Sequence, residues 1–151
     1  MSRAEELGIL PADDRLEGIS WSILGQTYRP KQLTDESFAW HATLPPGTFV
    51  PPHIHPTQNE YLYILEGRLD FWLEGETSSA APGDLVKLAL GRPHGIYNNS
   101  DQTAKALFWV APTRSLFELF EGIHALDPQT GETVAALAAQ HEVNFLPPPE
   151  E

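Results

Sequence analysis

His53 and His55 stand one residue apart, four residues separate His55 from Glu60, and His94 follows much later in the chain. On extended chain, residues two apart share a face, and their Cα atoms lie roughly 7 Å apart. Two imidazoles so placed can converge on one ion. The loop over residues 56–59 lets Glu60 return toward the same point, and Pro51-Pro52 stiffens the approach to the pair. His94 can bring a third imidazole from a strand distant in sequence. Three neutral imidazoles and one carboxylate suit a divalent transition metal: Fe, Mn, Ni, Co, Cu or Zn. Calcium and magnesium fit poorly, because they prefer all-oxygen sites. Four protein ligands leave an octahedral ion open positions for water, substrate or dioxygen.

The elements that must position these residues read as strands. The stretch 19–24 alternates apolar and polar residues, and 37–42 mixes small and aromatic ones. A turn at 44–47 leads to a short strand at 48–50. Strong runs at 60–65 and 68–73 flank Glu66-Gly67, which reads as a tight hairpin. Pro82-Gly83-Asp84 and residues 98–101 are turns leading into strands at 85–90 and 103–110. Closely spaced strands punctuated by turns predict an antiparallel sandwich or barrel. Leu69, Phe71 and Leu73 would face its interior. Trp72 would then point outward, covered by the tail or by a second subunit.

The pattern changes after Pro112. Ser115-Leu116-Phe117-Glu118 has the form of a capping box, which predicts a helix start. Asp127-Pro128 supplies an N-cap and first position for a second helix. Val134, Leu137, Ala138 and His141 would form its inward stripe. The proline-rich end, from Leu146 onward, reads as extended chain.

The spacings resemble the two motifs of the cupin superfamily. Gly47, His53, His55, Glu60 and Gly67 match the first, G-x5-H-x-H-x4-E-x6-G. Gly83, Gly91, His94 and Asn98 match the second, G-x5-P-x-G-x2-H-x3-N, with Ala89 where the family has proline. The resemblance implies an all-β double-stranded β-helix, a jelly-roll barrel, with a short C-terminal helical appendage. The expected organisation is an N-terminal extension over residues 1–18, the barrel over 19–112, and a helical segment with a proline-rich tail over 113–151. It also implies a metal held by His53, His55, Glu60 and His94. The tail around Phe145-Leu146-Pro147-Pro148 is similar to small quercetin-dioxygenase-like cupins.

Three functions are compatible with such a centre. The first is a dioxygenase of the quercetinase-like type, acting on a small aromatic or enolisable substrate, with Glu60 as base. The second is a non-oxidative isomerase, lyase or decarboxylase, with Glu60 or Tyr97 moving the proton. The third is a small-molecule-binding protein without turnover. Tyr97, close to His94, is a candidate to line the pocket. Gln58 and Asn59 are candidates to orient water or substrate. His41, His124 and His141 read as structural or surface residues.

Composition narrows the partners. The chain has 151 residues, 21 Asp plus Glu against 9 Lys plus Arg, a formal net charge of −12, and no cysteine. Such a surface repels phosphate backbones and anionic lipid, which argues against nucleic acid and membrane partners. Thiolate ligands, disulfides and cysteine nucleophiles are excluded. With neither a signal-like N-terminus nor an apolar span, the expected location is the cytoplasm. A strand at 105–110 that is apolar on both faces, together with Trp72, predicts a homodimer.

Overall fold

The computed structural model describes residues 6–147. A single 3-10 turn at Leu16–Gly18 precedes β1 (Trp21–Ile23), β2 (Gln26–Leu33), β3 (Phe38–Leu44), β4 (Phe49–Ile54) and β5 (Asn59–Glu66). Then come β6 (Leu69–Leu73), β7 (Glu76–Ala80), β8 (Leu85–Leu88), β9 (His94–Tyr97) and β10 (Ala104–Ala111). The chain ends with α1 (Leu116–Ala125), α2 (Gly131–Ala139) and β11 (Asn144–Phe145). One sheet runs β1-β2-β3-β10-β5-β8 and the other β11-β4-β9-β6-β7. The result is an all-β jelly roll with two short C-terminal helices.

Period-two alternation places the core between the sheets. Phe38, Trp40, Ala42 and Leu44 of β3 are buried, as are Ala104, Ala106, Phe108 and Val110 of β10. Leu69 and Phe71 are buried as their alternation requires, and Trp72 lies half-buried on the outer side.

The expected hairpin at Glu66-Gly67 is not formed. β5 pairs with β10 and β8, whereas β6 pairs with β9 and β7, so this turn carries the chain from one sheet to the other. Alternation fixes which face a strand buries but not which strand it pairs with. Gly67 adopts φ 73°. A Cβ there would lie 2.8 Å from the Thr103 carbonyl oxygen, so the crossing needs glycine.

β2 escaped the strand reading because Gly25, Pro30 and Lys31 interrupt it. Pro30 lies beyond residues 26–28, the stretch of β2 that pairs with β1, so no bond to that strand is lost there. A register shift between Pro30 and Gln32 absorbs the irregularity against β3.

The helices form where expected, but their caps differ. Ser115 is the N-cap of α1 without a side-chain capping bond. Its hydroxyl is instead 2.9 Å from His141 Nδ1. α2 starts at Gly131, and Thr130 with Thr133 makes a reciprocal capping box. The segment expected to cap α2 holds the tail to the barrel instead. Gln129 accepts from Leu24 N–H at 2.7 Å and donates to the carbonyls of Ser22 and Ile123 at 2.8 and 2.9 Å. His124 Nδ1 accepts from Ser22 N–H at 2.9 Å. Side chains thus satisfy the free edge of β1. The proline run beyond residue 147 lies outside the described residues.

α1 closes the barrel with its apolar face. Phe117 and Phe120 pack on Trp21 at ring centroids 5.0 and 5.7 Å, and Phe120 meets Trp40 edge-on at 5.0 Å. Burying an aromatic of this size contributes about 1.5–3 kcal/mol.

Candidate metal centre

β4 carries His53, and the chain just past its end carries His55. β5 carries Glu60 at its second residue, and β9 opens with His94. The register pairs His53 with His94 directly across β4 and β9. Turn bonds lock the frame: Gly91 N–H donates to His55 O, Gly47 N–H to Asn98 O and Asn98 N–H to Thr48 O, each at 2.9 Å. Buried Asn98 further donates to the carbonyls of Leu44 and Gln102 at 2.8 Å. The second-motif residues thus hold the strand ends that present the imidazoles.

His53, His55, Glu60 and His94 are all buried, and one ligand atom from each lies within 4.8 Å of the others. The structure therefore brings the expected group together. The three Nδ1 atoms face fixed oxygens. His53 Nδ1 is 2.8 Å from Pro51 O, and His94 Nδ1 is 3.3 Å from Arg92 O. His55 Nδ1 is 2.8 Å from Gln58 Oε1. Gln58 is oriented in turn, because its amide donates to the carbonyls of Pro112 and Thr113 at 3.0 and 2.7 Å. Carbonyl oxygens cannot donate, so each Nδ1 carries a proton and each Nε2 is left to the cluster.

His55 Nε2 lies 3.0 Å from Glu60 Oε1, and His94 Nε2 lies 3.7 Å from the same oxygen. His94 Nε2 is buried and has no hydrogen-bond partner among the described residues. A ring lone pair facing a carboxylate needs positive charge between them, either a proton or a metal ion. The donor set therefore fits a divalent transition metal.

The electrostatics agree. Burial pushes the Glu60 pKa up, but the hydrogen bond from His55 and the charge of His55 and His94 outweigh it and hold the carboxyl well below its usual range. Burial, then the neighbouring His94 and His55, hold the His53 pKa well below that of free imidazole, against the pull of Glu60. Burial also lowers that of His55, but the bond to Glu60 more than reverses it and leaves the pKa raised.

His53, His55 and Glu60 line an otherwise apolar cavity of about 50 Å³, room for a few waters. Tyr28, Trp40 and Phe108 line its barrel wall, and Leu119, Phe120 and Val143 come from the tail. Phe145 stacks on His53 at 5.2 Å.

Tyr97 does not stand where the sequence suggested. His94 and Ile96 point inward, so strand alternation turns Tyr97 outward, where it stacks on half-exposed Phe49 at 5.7 Å. Proximity in sequence to His94 put it on the wrong face. Asn59 accepts from Leu90 N–H at 2.9 Å, a loop-fixing role. Tyr28 was missed because its strand was missed. Half-buried His41 lies outside the cluster.

Comparison with known proteins places this arrangement. Residues 40–110 match the family described as cupin domain. That stretch is a cupin domain. The chain is 32% identical over 75 residues to the tetracenomycin polyketide synthase protein TcmJ of Streptomyces glaucescens, covering 50% of each chain. It is 31% identical over 71 residues to the polyketide synthase CurC of Streptomyces cyaneus, covering 47% of this chain and 46% of that one. The chain thus spans about half the length of those relatives. Among solved structures it superposes on an RmlC-like cupin from Shewanella frigidimarina with a TM-score of 0.65 at 16% identity, covering 75% and 97% of the two chains. It superposes on KdgF from a Halomonas species with a TM-score of 0.63 at 19% identity, covering 74% and 99%. At those identities the likeness shows the cupin fold alone.

Proposed function

We propose that His53, His55, Glu60 and His94 hold one divalent transition metal, and that the protein is a metal-dependent dioxygenase of the quercetinase-like type. The carrying observation is three tethered imidazoles gathered with an ionised carboxylate, two of them and the carboxylate lining an apolar cavity. A bound metal would supply Lewis acidity, lowering the pKa of a substrate hydroxyl or enol, and a coordination position for dioxygen. The chain's own residues do the rest. The aromatic wall excludes water and holds a flat substrate. Glu60, ionised and buried, accepts the substrate's proton. His53 and His55 stay fixed by Pro51 and Gln58.

The cavity favours small aromatic or enolisable substrates over large ones as the walls stand. Similarity to two polyketide synthase proteins supports an enolisable substrate, because polyketides carry enolisable carbonyl groups. Oxygen uptake by Fe-, Mn- or Ni-loaded protein on acetylacetone, catechol and flavonols tests the reading; no uptake on any of them counts against it. The ionised Glu60 equally suits a non-oxidative proton transfer, and turnover under strict anaerobiosis would favour that alternative.

A homodimer is part of the same proposal. On the outer face of the larger sheet, the register sets Tyr63 beside Leu85 and Leu107, and Tyr61 stacks on Trp109 at 5.4 Å. Tyr63 and Leu85 are 43% and 51% exposed in the single chain, an apolar face suited to a second copy. None of the described helices is long and apolar enough to cross a membrane.

A further inference from the structure

Leu7 and Ile9 are 107% and 94% exposed, far more than any other large apolar side chain among the described residues. They sit on an arm, residues 6–10, whose root is fixed. The Lys31 ammonium donates to the carbonyls of Ala12 and Asp14 at 2.9 and 2.5 Å and reaches that of Pro11 at 3.5 Å. Asp14 N–H closes a turn onto Pro11 O at 3.0 Å. The arm does not close on its own body: with Leu16, Ile19 and Leu33 it lines an open gap of about 580 Å³. A tethered segment that holds two apolar side chains in water calls for a surface outside its own chain.

The root lies beside such a surface. The register lays Arg29, His41, Leu107, Tyr63 and Leu85 in one row across β2, β3, β10, β5 and β8, on the outer face of the larger sheet. Burial, then the charges of Lys31, Lys105 and Arg29, lower the His41 pKa against the pull of Glu66, so Lys31 and the root it holds border this row. Lys87 and Lys105 flank it. Among the described outward positions paired in these rows, Glu66 is the one carboxylate, 3.7 Å from Lys105. In a chain of net charge −12 this face is therefore apolar with a cationic rim. The arm has the complementary make-up. Residues 6–14 hold Leu7, Ile9 and Leu10 with three acidic residues, Glu6, Asp13 and Asp14, and no lysine or arginine.

We infer that the arm of one copy lies across the outer face of the larger sheet of a second copy, with Leu7 and Ile9 against Tyr63, Leu85 and Leu107 and Glu6 toward the cationic rim. The inference rests on the homodimer reading and adds how the two copies hold each other. Two-fold symmetry makes the exchange reciprocal, so each copy gives an arm and receives one.

The test uses the full chain. Sedimentation equilibrium compares wild type with Leu7→Ser/Ile9→Ser, and the dimer dissociation constant should rise at least about a hundredfold, because both arms lose both apolar contacts. The absence of cysteine makes a second readout clean. Isotope-labelled Leu7→Cys chain is mixed with unlabelled Tyr63→Cys chain, treated with a short bismaleimide and read by mass spectrometry. A cross-link between labelled and unlabelled chains is expected, and none when Phe49→Cys, on the other sheet, replaces Tyr63→Cys. A wild-type dimer whose dissociation constant ignores the arm substitutions and whose arm gives no such cross-link overturns the arm exchange and leaves the homodimer standing. A chain carrying both Leu7→Cys and Tyr63→Cys that links to itself under dilution to monomer also overturns the exchange, since the arm then folds back on its own body. A monomeric wild type overturns both readings.

Discussion

At the residue scale, the centre is three imidazoles whose outward nitrogens are each bound to an oxygen. Gln58 is the informative one, because it orients His55 from a side chain rather than a carbonyl. Gln58→Leu should weaken metal affinity about 10- to 100-fold in chelator competition, the usual effect of losing such a support. Unchanged affinity would show that His55 does not need it. Protons compete with the metal for the same nitrogens. The raised pKa of His55 means that it holds a proton against Glu60 at pH values where free imidazole has lost it. Metal binding must displace that proton, so Mn(II) affinity should rise with pH through and above about 6.5, the pKa of free imidazole. Calorimetry in buffers of different ionisation enthalpy should show proton release; proton uptake would contradict the assignment. All four members of this group were legible from spacing, because period-two chain and two motif intervals suffice to bring them together. Tyr97 was misplaced because facing depends on strand register, which spacing from His94 does not report. Tyr28 gave no signal, since a tyrosine on a proline-broken strand resembles ordinary surface polarity.

At the element scale, the sequence showed where chain is extended and where it is helical, and hid which strands are neighbours. β5 and β6 illustrate the limit, because two alternating runs around a glycine look the same whether they pair or part. Gly67→Ala should destabilise by more than about 1 kcal/mol, through its positive φ and the clash with Thr103 O. Urea unfolding measures this, and a neutral result would mean that the crossing can relax. The tail is an integral wall of the barrel. Phe120 contacts Trp21, Tyr28, Phe38 and Trp40. Phe120→Ala should therefore cost about 3–5 kcal/mol and enlarge the cavity that it lines. The inward stripe of α2 was readable, whereas the caps were not. Ser115 and the segment around Asp127 carry capping chemistry but serve tertiary contacts, which local sequence does not display.

At the scale of the whole molecule, two sheets and a helical closure place His53, His55 and Glu60 on a largely apolar cavity, in a chain of net charge −12. The same acidity makes self-association depend on the apolar outer face of the larger sheet. Leu85→Asp, by adding charge to that face, should convert a dimer to a monomer in light scattering without changing metal content; an unaltered mass would place the interface elsewhere. The central claim is that four side chains from three strand regions hold one ion. Elemental analysis of wild type, His94→Ala and Glu60→Ala, each purified without added metal, tests it most directly. The expected result is close to one transition-metal ion per chain in wild type and a small fraction of that in folded variants. Wild type free of metal and unable to take it up, or variants as fully loaded as wild type, would contradict it.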